Sequence, residues 1–123
     1  MRKIATIAVF MIALCGCSVD TVEQLRITKS YQVKASWYEC CKKTANGEKF
    51  DPEGMTAAHR SLRFGTRLKL TNPSNGKSVI VRINDRGPFI KGVDLDVSRG
   101  VARHLDIIKK GHAKLLVDQL AHD

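Results

Sequence analysis

The feature that most constrains this chain is a hairpin signature in its middle. Thr66 to Thr71 alternates, with Leu68 and Leu70 pointing one way and Arg67 and Lys69 the other. Asn72-Pro73-Ser74-Asn75-Gly76 follows as turn chemistry, and Lys77 to Asn84 returns with Val79, Val81 and Ile83 on one face. A period of two on both sides of such a connection predicts two antiparallel strands with one face buried.

Other segments repeat the pattern. Gln32 to Tyr38 puts Val33, Ala35 and Trp37 on one face, with Trp37 read as core. Glu39 to Gly47 reads as a loop with Asn46-Gly47 as a turn. Met55 to His59 reads as a short strand at a sheet edge, and Val93 to Val97 as another short strand. Ala113 to Leu120 reads as the closing strand, with Leu115, Val117 and Gln119 alternating against Leu116, Asp118 and Leu120. Ser98 is placed to cap a helix from Arg99 to Leu105 that carries Val101, Ala102 and Leu105 on one side. The chain is therefore read as mainly β, with six short strands and one or two short helices. A small closed barrel suits it, because closure removes exposed sheet edges.

The N-terminus carries a different signal. Met1-Arg2-Lys3 is basic, and Ile4 to Leu14 is an unbroken run of apolar or small residues. That run is too short to span a bilayer as a helix and fits an export signal. Leu14-Cys15-Gly16-Cys17-Ser18 then resembles a bacterial lipobox with Cys17 acylated. The expected organisation is a signal peptide over residues 1–16, a lipidated tether over 17–30 and a barrel over 31–121. Ser18 after the cysteine points to a lipid anchor in an outer membrane, facing the periplasm.

The formal net charge is +9, or +7 once Arg2 and Lys3 leave with the signal. A surface this basic favours polyanions. Export argues against nucleic acid and for cell-wall glycan with acidic peptide stems, anionic lipid or lipopolysaccharide. Of the four cysteines, Cys40 and Cys41 stand side by side in the mature chain. A bridge between neighbours closes a strained ring, so free thiols or intermolecular bridging are the preferred reading. No cluster has metal-ligand spacing, so no metal and no cofactor are expected.

Three polar segments carry the candidate chemistry. Asn84-Asp85-Arg86-Gly87-Pro88-Phe89 ends a strand with a carboxylate that opens into a Gly-Pro turn. A competing reading is that Asp85 only shapes the turn. Thr44-Ala45-Asn46-Gly47-Glu48 offers a second carboxylate, and Thr56-Ala57-Ala58-His59 a histidine. Arg82 and Arg86 flank Asp85 in sequence, and a nearby cation holds a carboxylate ionised.

These segments resemble the rare lipoprotein A family, whose domain is a double-psi β-barrel. The resemblance runs from about Lys34 to Leu120. It is carried by Ala35-Ser36-Trp37-Tyr38, Thr44 to Asp51, Thr56 to His59, Leu62 to Thr66, Asn84 to Phe89 and Asp96-Val97-Ser98. It implies a lytic transglycosylase that cuts the β-1,4 bond between N-acetylmuramic acid and N-acetylglucosamine of peptidoglycan and leaves 1,6-anhydro ends. It implies Asp85 as acid and base, Glu48 as second carboxylate, and His59 as the group that orients a carboxylate. Tyr38, Arg86 and Ser98 are the expected substrate contacts, and a monomer the expected state. The sequence departs from the pattern at Glu39-Cys40-Cys41, where many members have glycine. That departure favours the alternative, a peptidoglycan-binding structural lipoprotein without catalysis.

Overall fold

The hairpin forms as β3 (Arg67–Thr71) and β4 (Ser78–Asp85), antiparallel, with Leu68 opposite Val81 and Leu70 opposite Val79. The structure is a computed structural model and describes residues 26–122. The signal peptide, Cys17 and most of the tether fall outside the described residues. The remaining elements are β1 (Ile27–Tyr38), β2 (Thr56–Ala58), β5 (Leu95–Ser98), α1 (Arg99–Leu105) and β6 (His112–Leu120). The six strands close in the order β1-β5-β2-β4-β3-β6, with β6 returning to β1. Two pairs are parallel, β1 with β5 and β2 with β4, and the others are antiparallel. This is the double-psi β-barrel that the sequence leads one to expect.

Closure turns one face of every strand inward. Leu68, Leu70, Val81, Ile83, Leu95 and Leu115 are almost wholly buried there. The helix α1 plugs the barrel with Val101, Ala102 and Leu105. Its N-cap is Ser98, whose hydroxyl accepts the Val101 amide. At its other end Asn72 and Asn75, on the β3–β4 hairpin, donate their side-chain amides to the Leu105 carbonyl at 2.8 and 3.2 Å. The turn thus satisfies a carbonyl that a helix end leaves open.

Five expectations need correction. The strand β1 starts at Ile27, so residues 27–30 belong to the barrel and not to the tether. They lack an apolar alternation and are held by the ladder to β6 and by Ser30 Oγ on Asp118 at 2.7 Å. Leu116 on β6 is exposed as the alternation requires, but Leu120, expected on the same face, is buried, where the ladder to β1 shifts register between Ile27 and Lys29. The strand β2 lies inside the sheet, between β5 and β4, and all three of its residues are buried. Cys40 and Cys41 form a vicinal disulfide, with Cys41 in the left-handed region at φ 65°. Trp37 is only half-buried, packs on the core and donates its indole N–H to the Ile108 carbonyl.

Candidate active site

Odd-numbered residues of β1 face the core, so Ser36 and Tyr38 share the outer face. Across the sheet Ser36 aligns with Asp96 on β5, Asp96 with Ala58 on β2, and Ala58 with Asp85 on β4. One row of the barrel therefore carries two carboxylates across a buried alanine. Loop 44–48 folds over the Asp85 end of this row. Its turn is closed by Gly47 N–H on the Thr44 carbonyl, at a φ of +94° that only glycine adopts without strain.

Asp85 accepts three hydrogen bonds. Its Oδ1 takes the Ala45 and Arg86 amides at 2.8 and 2.9 Å, and its Oδ2 takes the Tyr38 hydroxyl at 2.8 Å. Oδ1 is saturated, whereas Oδ2 keeps one lone-pair position. Tyr38 is fixed by stacking on Phe50, ring centroids 5.1 Å apart. Burial, reinforced by the bond to Asp85, pushes the Tyr38 hydroxyl well above its ordinary pKa, so it stays a donor.

Glu48 sits in a different setting. Arg82 grips it with two bonds of 2.6 and 2.8 Å, and Asn46 and Asn84 donate at 3.0 and 3.1 Å. The Arg82 hydrogen bonds, then those of Asn46 and Asn84, hold its pKa down at about 2. Glu48 is thus a fixed negative charge and not a proton donor. Its arginine is also the cation that sequence proximity assigned to Asp85. The Asn84 Oδ1 is buried and, among the described residues, has no partner.

The ring of His59 touches neither carboxylate among the described contacts. Its Nδ1 accepts the Ser61 and Leu62 amides, both at 3.0 Å. Two N–H donors on Nδ1 place the ring proton on Nε2. Burial, then the charges of Arg60 and Arg86, lowers its pKa, so the ring is neutral near pH 7. Its backbone does reach the centre, through His59 N–H on the Asp85 carbonyl at 3.2 Å. Arg86 is likewise turned inward. It stacks on Phe64, 3.9 Å from the ring centroid, and donates to the His59 and Leu62 carbonyls. Ser98 is 0% exposed. Its hydroxyl caps α1 and donates to the Gly54 carbonyl, which leaves nothing to offer a ligand. Its expected place among the substrate contacts is withdrawn for that reason.

Asp96 stands in the same row, although the sequence alone gives it no partner there. Ser36 donates to its Oδ1 at 2.7 Å. Burial raises its pKa and the Asp85 charge adds to the rise, against the Ser36 bond. The signal was its outward register on β5, one strand from Ala58, which only the topology reveals. Among the described residues no cluster of His, Cys, Asp and Glu is arranged to hold a metal ion. Asp85 and Asp96 are both half-buried. A cavity of about 720 Å³ lies elsewhere, beside the hairpin tip and the start of β6.

The closed six-stranded barrel with its outward carboxylates defines a double-psi β-barrel domain. Residues 30–117 match the family described as lytic transglycolase, and this chain belongs to that family. It is 52% identical over 99 residues to a probable endolytic peptidoglycan transglycosylase RlpA of Nostoc sp., covering 76% of this chain and 27% of that protein. It is 44% identical over 87 residues to the endolytic peptidoglycan transglycosylase RlpA of Campylobacter jejuni, covering 68% and 32%. The chain thus spans about a quarter to a third of the length of these relatives. Among solved structures, a Streptomyces papain inhibitor matches with TM-score 0.65 at 15% identity, over 80% of this chain and all of that one. The expansin of Clavibacter michiganensis matches with TM-score 0.62 at 19% identity, over 77% and 52%. These two likenesses concern the fold alone.

Proposed function

We propose that this domain is a lytic transglycosylase of peptidoglycan, acting on the β-1,4 bond between N-acetylmuramic acid and N-acetylglucosamine. The observation that carries the reading is the pairing of two unlike carboxylates under loop 44–48. Asp85 is oriented by three donors with one position left on Oδ2, and Glu48 is locked as an anion. An oriented carboxyl group with an open oxygen can exchange a proton with a bound sugar, and a locked carboxylate supplies a fixed anion beside it.

The reaction follows from those roles. Protonated Asp85 gives its proton through Oδ2 to the glycosidic oxygen as the bond to the muramoyl C1 breaks. The C6 hydroxyl oxygen of the same sugar then bonds to C1. Asp85, now a carboxylate, takes the hydroxyl proton. Water is not consumed, and the products are a 1,6-anhydromuramoyl end and a free 4-hydroxyl on N-acetylglucosamine. Positive charge develops at C1 during cleavage, and the Glu48 anion favours it electrostatically. Tyr38 holds the Asp85 carboxylate in place throughout, and neutral His59 offers Nε2–H as a donor.

The reading extends to the whole chain as a monomer, lipidated at Cys17 and held at the outer membrane facing the periplasm. The lipobox-like Cys17 supports it. A second reading is a glycan-binding lipoprotein without catalysis, favoured by the disulfide-closed Glu39-Cys40-Cys41 segment beside Tyr38. Mass spectrometry of the ends released from purified sacculi separates the readings. Anhydro ends support the transglycosylase, reducing ends indicate a hydrolase, and binding without release indicates the second reading.

A further inference from the structure

The loop that follows β4 turns two large apolar side chains to solvent. Phe89 is 80% exposed and Ile90 63%, the highest values among the large hydrophobic residues described. One exposed apolar side chain is ordinary on a protein surface. Two neighbours on a firmly held loop are not explained by packing. Arg60 donates through Nη1 to the Pro88 and Val93 carbonyls at 2.9 and 2.7 Å, and the Val93 amide closes the turn on the Ile90 carbonyl at 3.1 Å. The backbone on both sides of the pair is thus tied to one arginine, while the two side chains stay outside.

The position of Phe89 says what covers it. Its ring leans back along the chain, so that a Cβ added to Gly87 would stand 3.6 and 3.8 Å from two ring carbons. The residue before Gly87 is Arg86, whose amide holds Asp85 Oδ1. From Asp85 to Gly87 the chain spans at most about 7 Å. The ring therefore lies beside the carboxylate, within reach of a short oligosaccharide bound there. Asp85 also takes the Ala45 amide, so it stands between loop 44–48 and the Phe89 loop. A pyranose ring has a face of C–H groups and a rim of hydroxyls. An aromatic face next to fixed polar groups matches both. A lipid surface is bound in proportion to the apolar area it buries, and two side chains beside a carboxylate offer little. We propose that Phe89, with Ile90 at its side, is a stacking platform for a sugar ring of the glycan strand engaged at Asp85. The assignment rests on the reading of the Asp85 end as glycan-binding.

The variants are Phe89→Ala, Phe89→Leu and Phe89→Trp in the full chain. The side chain is mostly in solvent, so their urea midpoints are expected to match the wild type. Calorimetric titration uses a bare tetrasaccharide of alternating N-acetylglucosamine and N-acetylmuramic acid, in an Asp85→Asn background that stops turnover. Affinity is expected to fall about 10-fold or more with Phe89→Ala and Phe89→Leu and to hold with Phe89→Trp, because stacking needs a flat ring. The indole introduced by Phe89→Trp is also a reporter. Its emission is expected to shift with the tetrasaccharide, and not with phosphatidylethanolamine–phosphatidylglycerol vesicles or with protein concentration. The proposal is overturned if the tetrasaccharide does not bind, or if Phe89→Ala or Phe89→Leu binds it as tightly as the parent. It is also overturned if the emission follows vesicles, which indicates a lipid surface, or protein concentration, which indicates a second copy. Should sacculi not be cleaved while the variants lose affinity, the transglycosylase reading fails and the platform stands. Should sacculi be cleaved while Phe89→Ala binds undiminished, the platform fails and that reading stands.

Discussion

Tyr38 and Asp85 define the site at the scale of single residues. A hydrogen bond to an ionised group is worth about 1.5–3 kcal/mol. Tyr38→Phe keeps the stack on Phe50 and removes that bond, so turnover is expected to fall about 10-fold or more with folding unchanged. Steady-state rates beside circular dichroism check this, and an unimpaired variant would remove Tyr38 from the positioning role. Glu48 and His59 add a pH dependence. Glu48 has its pKa held at about 2 in the fold against an ordinary 4.5, so the unfolded chain protonates first. Its contribution is present above 4.5 and lost as pH falls towards 2, in an amount reduced by solvent screening of this half-open group. The lowered pKa of His59 acts with the same sign from 6.5 downward, because the unfolded chain again takes the proton first. Urea midpoints measured from about pH 7 to about pH 2 are expected to fall on acidification. His59→Gln removes the upper part of that slope and Glu48→Gln the lower part. Asp85, Glu48 and His59 each stand out in the sequence as candidates, because each is a titratable group in a polar segment. Their partners do not: Arg82 lies 34 positions from Glu48, and only the strand register turns it away from Asp85.

At the scale of elements, α1 is tied down through its arginines. Arg99 pairs with Glu39 and Glu53, and Arg103 with Glu53, so the helix ties the end of β1 to loop 51–54. The approach is close at Gly100, where an added Cβ would stand 2.6 Å from the Glu53 carbonyl oxygen. The obstacle is backbone and cannot swing aside. Gly100→Ala is therefore expected to cost about 1–3 kcal/mol in chemical denaturation, and a neutral result would mean that the loop yields. Periodicity revealed the β3–β4 hairpin and the start of α1 because their signals are local. It placed β2 at an edge because three residues carry no period. It missed the start of β1 because residues 27–30 are held by ladder bonds to β6, not by burial. The Cys40–Cys41 bridge depends on Cys41 adopting a left-handed backbone that its residue type disfavours.

At the scale of the whole molecule, closure makes the chemistry possible. Segments separated by tens of residues become neighbours only because parallel pairing sets β4 beside β2 and β5 beside β1. The resulting row brings Asp85 and Asp96 to one face on either side of the buried Ala58. The central claim is that Asp85 moves the proton in both halves of the reaction. It is tested most directly by mass spectrometry of sacculi digested with the wild type and with Asp85→Asn. The account predicts 1,6-anhydro ends from the wild type and a loss of release of about 10²-fold or more in a folded variant; undiminished release of anhydro ends by Asp85→Asn would contradict it.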